Sequence, residues 1–297
     1  MAAPVVPNFA DTRLTFVTDP IDGKRAYQSI NASSETGQPI TNVAFKEHAV
    51  KIENIRGREA DVSLDRTGFQ FFREPTKFQD YSDDTAIERE YYPESIELMK
   101  RLTGASRVVL FDHSASCQVE RVIWMLRTAA IRRRRPTEFD DAPNKRQPVS
   151  QAHVDQTNSS AVSRVHRHLP PEDAPALLKG RFQVVNMWRP INHIALDWPL
   201  ALCDFRTVDV EKDLLAIALV YPDREGETYG VKYNENQRWV YLRGMDPDEV
   251  ALIKCFDSQQ DGSVALLTPH TAFSDPTTPA DAPLRESIEL RFLVFYD

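Results

Sequence analysis

Gln151-Ala152-His153-Val154-Asp155-Gln156-Thr157 stands at the head of a half-chain that reads as one short strand after another, and both architecture and chemistry turn on it. Residues i and i+2 of a strand share a face, so His153 and Asp155 point the same way. A third ligand must then come from a distant strand. His270, in Thr268-Pro269-His270-Thr271-Ala272-Phe273, follows the apolar run Val264–Leu267 and supplies it. Two histidines and one carboxylate hold Fe(II) on one side and leave three coordination positions open, as oxygen chemistry requires. His-x-Asp alone is weak. Seven histidines and about 8% aspartate give roughly 0.6 chance matches in such a chain.

From about residue 149 onward the candidate strands are Phe182–Trp188, Leu214–Tyr221, Tyr229–Tyr233, Trp239–Leu242, Val250–Phe256, Val264–Leu267 and Ser287–Phe295, with a helix over Pro170–Leu178 ended by Gly180. Residues 1–90 read as strands and turns, including Arg13–Thr18 and Arg25–Ile30 around the Asp19–Gly23 turn. Residues 91–135 read as supporting helices. One begins near Pro93 and is capped by Gly104, and another covers Val119–Ile131; the buried strand Arg107–Phe111 lies between them. Many short strands punctuated by 20 prolines and 10 glycines indicate a mainly β fold with flanking helices. The reading is a double-stranded β-helix, a cupin-like jelly roll, with its core in 149–297 and one domain spanning 1–297.

The 297 residues are 41% hydrophobic, enough for a sizeable core, and the net charge is −8. Such an acidic chain is not expected to bind nucleic acid or an anionic membrane, and no apolar run approaches a bilayer span. Three scattered cysteines form no disulfide framework, and no leader pattern precedes Asp11, so the expected location is cytoplasmic. The run Arg132-Arg133-Arg134-Arg135 is followed at once by acidic residues and reads as a solvated loop. A small apolar molecule is the expected partner, with a homodimer left open.

If the iron centre uses an oxoacid, a cation must meet the distal carboxylate, and arginine does this bidentately. Arg285 and Ser287 share one face of the last strand, and Arg291 has the same parity. The competing reading is an exposed face carrying Arg285, Ser287, Glu289 and Arg291. His166 and His168 read as solvated loop residues, His193 as a turn residue near the cavity mouth, and His113 as a structural histidine.

Several segments together resemble the CmcJ/NvfI family of oxidoreductases, also called AsaB-type hydroxylase/desaturases. They are Tyr91-Tyr92-Pro93-Glu94, Phe111-Asp112-His113, Ala152–Thr157, Asn186-Met187-Trp188-Arg189-Pro190, Pro199–Asp204, Thr268–Phe273 and Arg285–Arg291. Their length and order are closest to NvfI-like, endoperoxide-forming members. The resemblance implies a non-haem Fe(II)/2-oxoglutarate dioxygenase of secondary metabolism. His153, Asp155 and His270 would hold iron, Arg285 with Ser287 would grip 2-oxoglutarate, and Asn186, Trp188 and Arg189 would line the pocket. O2 would be consumed, and ferryl hydrogen abstraction would lead to hydroxylation, desaturation or endoperoxide formation on a terpenoid, meroterpenoid or polyketide. Ser114-Ala115-Ser116-Cys117 departs from the family pattern after His113. Two other classes stay open on the residues alone: a jelly-roll binding protein with a degenerate metal site, and a zinc hydrolase.

Overall fold

The computed structural model describes residues 7–33, 39–111, 131–135 and 147–297. Two sheets stack face to face. The larger runs in the order β1 (Phe9–Val17), β4 (Phe45–Asn54), β13 (Trp239–Tyr241), β10 (Leu200–Cys203), β15 (His270–Ala272), β8 (His153–Val154), β12 (Glu225–Val231), β11 (Leu214–Val220), β2 (Tyr27–Ser33) and β3 (Pro39–Thr41). The smaller runs β5 (Phe69–Arg73), β14 (Glu249–Asp257), β9 (Phe182–Pro190), β16 (Glu286–Phe295) and β6 (Arg107–Leu110), with β7 (Ile131–Arg133) also paired to β16. All pairs are antiparallel except β2 with β11 and β4 with β13. This is the expected jelly roll, and the first ninety residues contribute strands to both of its sheets.

Strand β9 shows why the smaller sheet is so apolar. All nine of its residues are buried, because one face meets the larger sheet and the other is covered by a helix. The outer face joins Val185 and Met187 to Ile288, Leu290 and Phe292 of β16, and Leu98 and Met99 of the Tyr92–Thr103 helix close over them. That helix has Pro93 in its first turn and ends at Gly104, whose φ of 71° is the left-handed value glycine tolerates. On the inner face polarity changes along the strands. At one end Phe182 and Val184 of β9 pair in register with Phe295 and Leu293 of β16 and join the main core. At the other end Asn186 lies across from Arg291, and Trp188 across from Glu289, with Ser287 and Arg285 beyond. The alternating face of β16 is therefore not exposed. Arg285, Ser287 and Glu289 are all buried between the sheets.

Four expectations require correction. Val264–Leu267 is not a strand: it follows the Asp261–Gly262 turn, and a single backbone bond ties Ala265 N to Asp65 O rather than a ladder. The helix over Pro170–Leu178 shrinks to Ala174–Leu177. A helix absent from the sequence reading spans Asn158–His168, so His166 and His168 belong to its last turn and not to a loop. Ile131–Arg133 is a strand on β16, so the arginine run is half-buried in the sheet and is not a solvated loop. The rest of the expected Val119–Ile131 helix, His113, and Ser114–Cys117 lie outside the described residues.

Candidate metal centre

His153 and His270 are cross-strand partners, the one residue pair that joins β8 to β15. Cross-strand neighbours stand close enough for their side chains to converge. Their rings lie 4.4 Å apart between centroids. Asp155 follows β8 immediately, and its Oδ1 is 3.6 Å from His153 Nε2. One ligand atom from each of the three residues falls within 4.8 Å of the others.

Hydrogen bonds aim these atoms. His153 Nδ1 meets the Gln151 carbonyl at 2.8 Å, and His270 Nδ1 meets the Thr268 carbonyl at 3.0 Å. In each ring Nδ1 carries the proton, so Nε2 is left as the donor atom for a metal. Asp155 Oδ2 accepts from Asn186 Nδ2 and Arg291 Nε, both at 2.7 Å, while Oδ1 faces His153. Burial opposes the charge of Asp155, but Arg291 and the two imidazoles outweigh it and hold the carboxyl well below its usual range. Burial, reinforced by His270, pushes His153 down to about 3, so its ring is neutral at physiological pH. One carboxylate and two imidazoles are the donor types that Fe(II) takes.

The remaining sequence-selected residues divide into two roles. Asn186 and Arg291 anchor the Asp155 carboxylate, and Arg291 also donates to Glu289 at 2.6 Å. Arg285 and Trp188 line the narrow cleft beside the two histidines. Arg285 donates through Nε to Ser287 Oγ at 3.2 Å and through Nη1 to the Trp198 carbonyl at 2.6 Å. Trp198 has a φ of 43°, which is strained for a bulky residue, and that turn aims its carbonyl at the guanidinium. Among the described residues no carboxylate lies within ion-pair distance of Arg285, although only 3% of it is exposed. A buried cation of this kind calls for an anionic guest. Among the described residues the buried Trp188 Nε1 also finds no hydrogen-bond partner. Arg189 points the opposite way from Trp188 and donates to the Pro247 carbonyl, so it does not line the cleft. Phe69 and Phe71 sit in the core behind Trp188, while Phe72 and Tyr81 pack toward the outer helix.

Comparison with known proteins agrees with this geometry. The profile of the family described as "Oxidoreductase/YMDC permease-like domain" matches residues 14–295. The hydroxylase/desaturase efuI of Hormonema carpetanum is 34% identical over 271 residues, covering 86% of each chain. The Fe(II)/2-oxoglutarate-dependent dioxygenase nvfI of Aspergillus novofumigatus is 31% identical over 295 residues, covering 97% of each. The solved structure of the iron and alpha-ketoglutarate-dependent endoperoxidase NvfI superposes with a TM-score of 0.80 at 29% identity, over 97% of this chain and 98% of that one. With its jelly roll and its His-Asp-His cluster, the chain belongs to the CmcJ/NvfI family of non-haem Fe(II)/2-oxoglutarate-dependent oxygenases, the AsaB-type hydroxylase/desaturases.

Proposed function

We propose that this enzyme oxidises an apolar secondary metabolite, with His153, Asp155 and His270 as the iron ligands and Arg285 with Ser287 as the seat of 2-oxoglutarate. The observations that support the ligand assignment are the pair of Nδ1–carbonyl bonds, which leave both Nε2 atoms as donors, and the clustering of one ligand atom from each of the three residues within 4.8 Å. Iron held there, with 2-oxoglutarate and O2, supplies the oxidising power to remove hydrogen from an unactivated carbon. The protein contributes position and exclusion of water. Asn186 and Arg291 occupy Asp155 Oδ2, so Asp155 would offer its other oxygen, Oδ1, to a metal. Arg285, already stripped of water, offers its charge to the dicarboxylate's far end. Hydroxylation, desaturation and endoperoxide formation share this start, and the relatives carry names for all three.

Adding Fe(II) and 2-oxoglutarate without oxygen is expected to produce a weak visible charge-transfer band. His153→Ala should abolish it. A band that survives in that variant, or is missing from the wild type, rules the assignment out.

A further inference from the structure

Glu289 and Arg291 lie two residues apart on β16, so they share one face of the strand. The register against β9 sets Arg291 across from Asn186 and Glu289 across from Trp188. Two carboxylates, Asp155 and Glu289, thereby meet on the same donors. Arg291 gives Nε to Asp155 Oδ2 at 2.7 Å and Nη2 to Glu289 Oε1 at 2.6 Å. Asn186 Nδ2 reaches Asp155 Oδ2 at 2.7 Å and Glu289 Oε1 at 3.5 Å. None of the three charged side chains is more than 14% exposed, so water competes weakly for these bonds.

On a guanidinium, Nε–H and one Nη2–H point the same way and form one edge. Against a single carboxylate that edge makes two parallel bonds, one to each oxygen, which adds strength and fixes the geometry. Here the edge is divided. Its Nε half takes Asp155 and its Nη2 half takes Glu289. Asp155 therefore gives that edge one oxygen, and the other, Oδ1, faces His153 Nε2 at 3.6 Å within the ligand cluster. Without an acceptor at residue 289, a small turn of the guanidinium would bring Nη2 onto Oδ1 and close the fork on Asp155.

We infer that Glu289 is a positioning residue for the metal centre: by holding Arg291 Nη2 it keeps Arg291 from taking both oxygens of Asp155, and so leaves Oδ1 open to a metal. This rests on the iron reading of His153, Asp155 and His270. The role needs the acceptor oxygen of Glu289 and not its charge.

The test is Fe(II) affinity of the full-length chain by anaerobic competition with a chromogenic chelator, with thermal melting of each metal-free variant as the control for folding. Glu289→Leu removes the acceptor at similar volume and is expected to lower affinity about tenfold to hundredfold, the usual reach of a hydrogen bond behind a metal ligand. Glu289→Ala should show the same loss, and it stands in if leucine overpacks the site. Glu289→Gln keeps an acceptor oxygen for Nη2 and should stay within about threefold of wild type. Arg291→Lys offers Asp155 a point charge with no second arm of a fork, so adding Glu289→Leu to it should change affinity by less than about threefold. A loss in Glu289→Gln as large as in Glu289→Leu would make charge the cause and overturn the inference, as would unchanged affinity in Glu289→Leu. A full loss that persists in the Arg291→Lys background would show that Glu289 does not act through Arg291, and would also overturn it. If the wild type itself fails to hold Fe(II) against the chelator, the metal reading falls, and the inference with it.

Discussion

Asp155 is the residue on which most of the site converges. Its Oδ2 takes hydrogen bonds from Asn186 and Arg291, one from each central strand of the smaller sheet. Outer hydrogen bonds to a metal ligand commonly govern affinity by one to two orders of magnitude. Asn186→Ala should therefore lower Fe(II) affinity about tenfold to hundredfold, measured by anaerobic competition with a chromogenic chelator, while the far-ultraviolet circular dichroism stays unchanged. Undiminished affinity would show that the bond to Asp155 does no positioning. The clustering of His153, Asp155 and His270 was legible because residue type and strand parity are local properties. The partition of Arg285 from Arg291 was not legible. Parity places both on one face, but only the register against β9 sets Arg291 opposite Asn186 and beside Asp155, leaving Arg285 at the far end.

At the scale of elements, the strands that could be read were those with a continuous apolar run. Val250–Phe256 and Ser287–Phe295 both emerge within a residue or two of their observed limits. Val264–Leu267 is as apolar but pairs with nothing as a ladder, since apolar burial alone does not make a strand. The Arg132 run failed in the opposite direction: its composition suggests water, yet Ser287, Glu286 and Asp197 give its charges and backbone a place in the sheet. The Asn158–His168 helix was hidden by serine and histidine, poor helix formers, and only its cap announced it. Thr157 Oγ1 accepts from Ser160 N and donates to Glu227, while Ser160 Oγ accepts from Thr157 N. Thr157→Ala should cost about 1 kcal/mol in urea unfolding. A loss within a few tenths would mean that Ser160 and Asn158 cap the helix unaided.

Across the whole molecule, one buried charge network that does not line the cleft serves stability. Lys254 is fully buried and donates to Asp257 at 2.7 Å and to Asp65 at 2.9 Å; Arg181 and Gln183 complete the shell of Asp257. Removing one partner leaves a charge stranded, so Asp257→Ala should cost about 3–5 kcal/mol by chemical denaturation. Lys254→Met should cost far less, because Arg181 and Gln183 still satisfy the carboxylate. Burial opposes ionisation of Asp257 and Asp65, but their basic partners prevail and hold both carboxyls below the ordinary aspartate range. A depressed carboxylate adds stability that is complete above its unfolded pKa and disappears as pH falls through the folded one. The resulting loss belongs below about pH 4, and the Asp257→Ala variant should show a shallower acid limb than wild type. A parallel limb would place acid sensitivity elsewhere.

The ten-stranded sheet also has a seam. Five strands, from β1 to β15, stand on one side, and five, from β8 to β3, on the other. Between the named strands the ladder across that line is the single pair His270 and His153, with backbone bonds from Ala272 N to the Val149 carbonyl and from Ala152 N to the Thr15 carbonyl beside it. A slip of one residue at so short a joint would send each imidazole to the wrong side of the sheet. An ion held by His153 and His270 would therefore bridge the two halves of the sheet at their joint, adding its own bonds to the few hydrogen bonds that keep them in register.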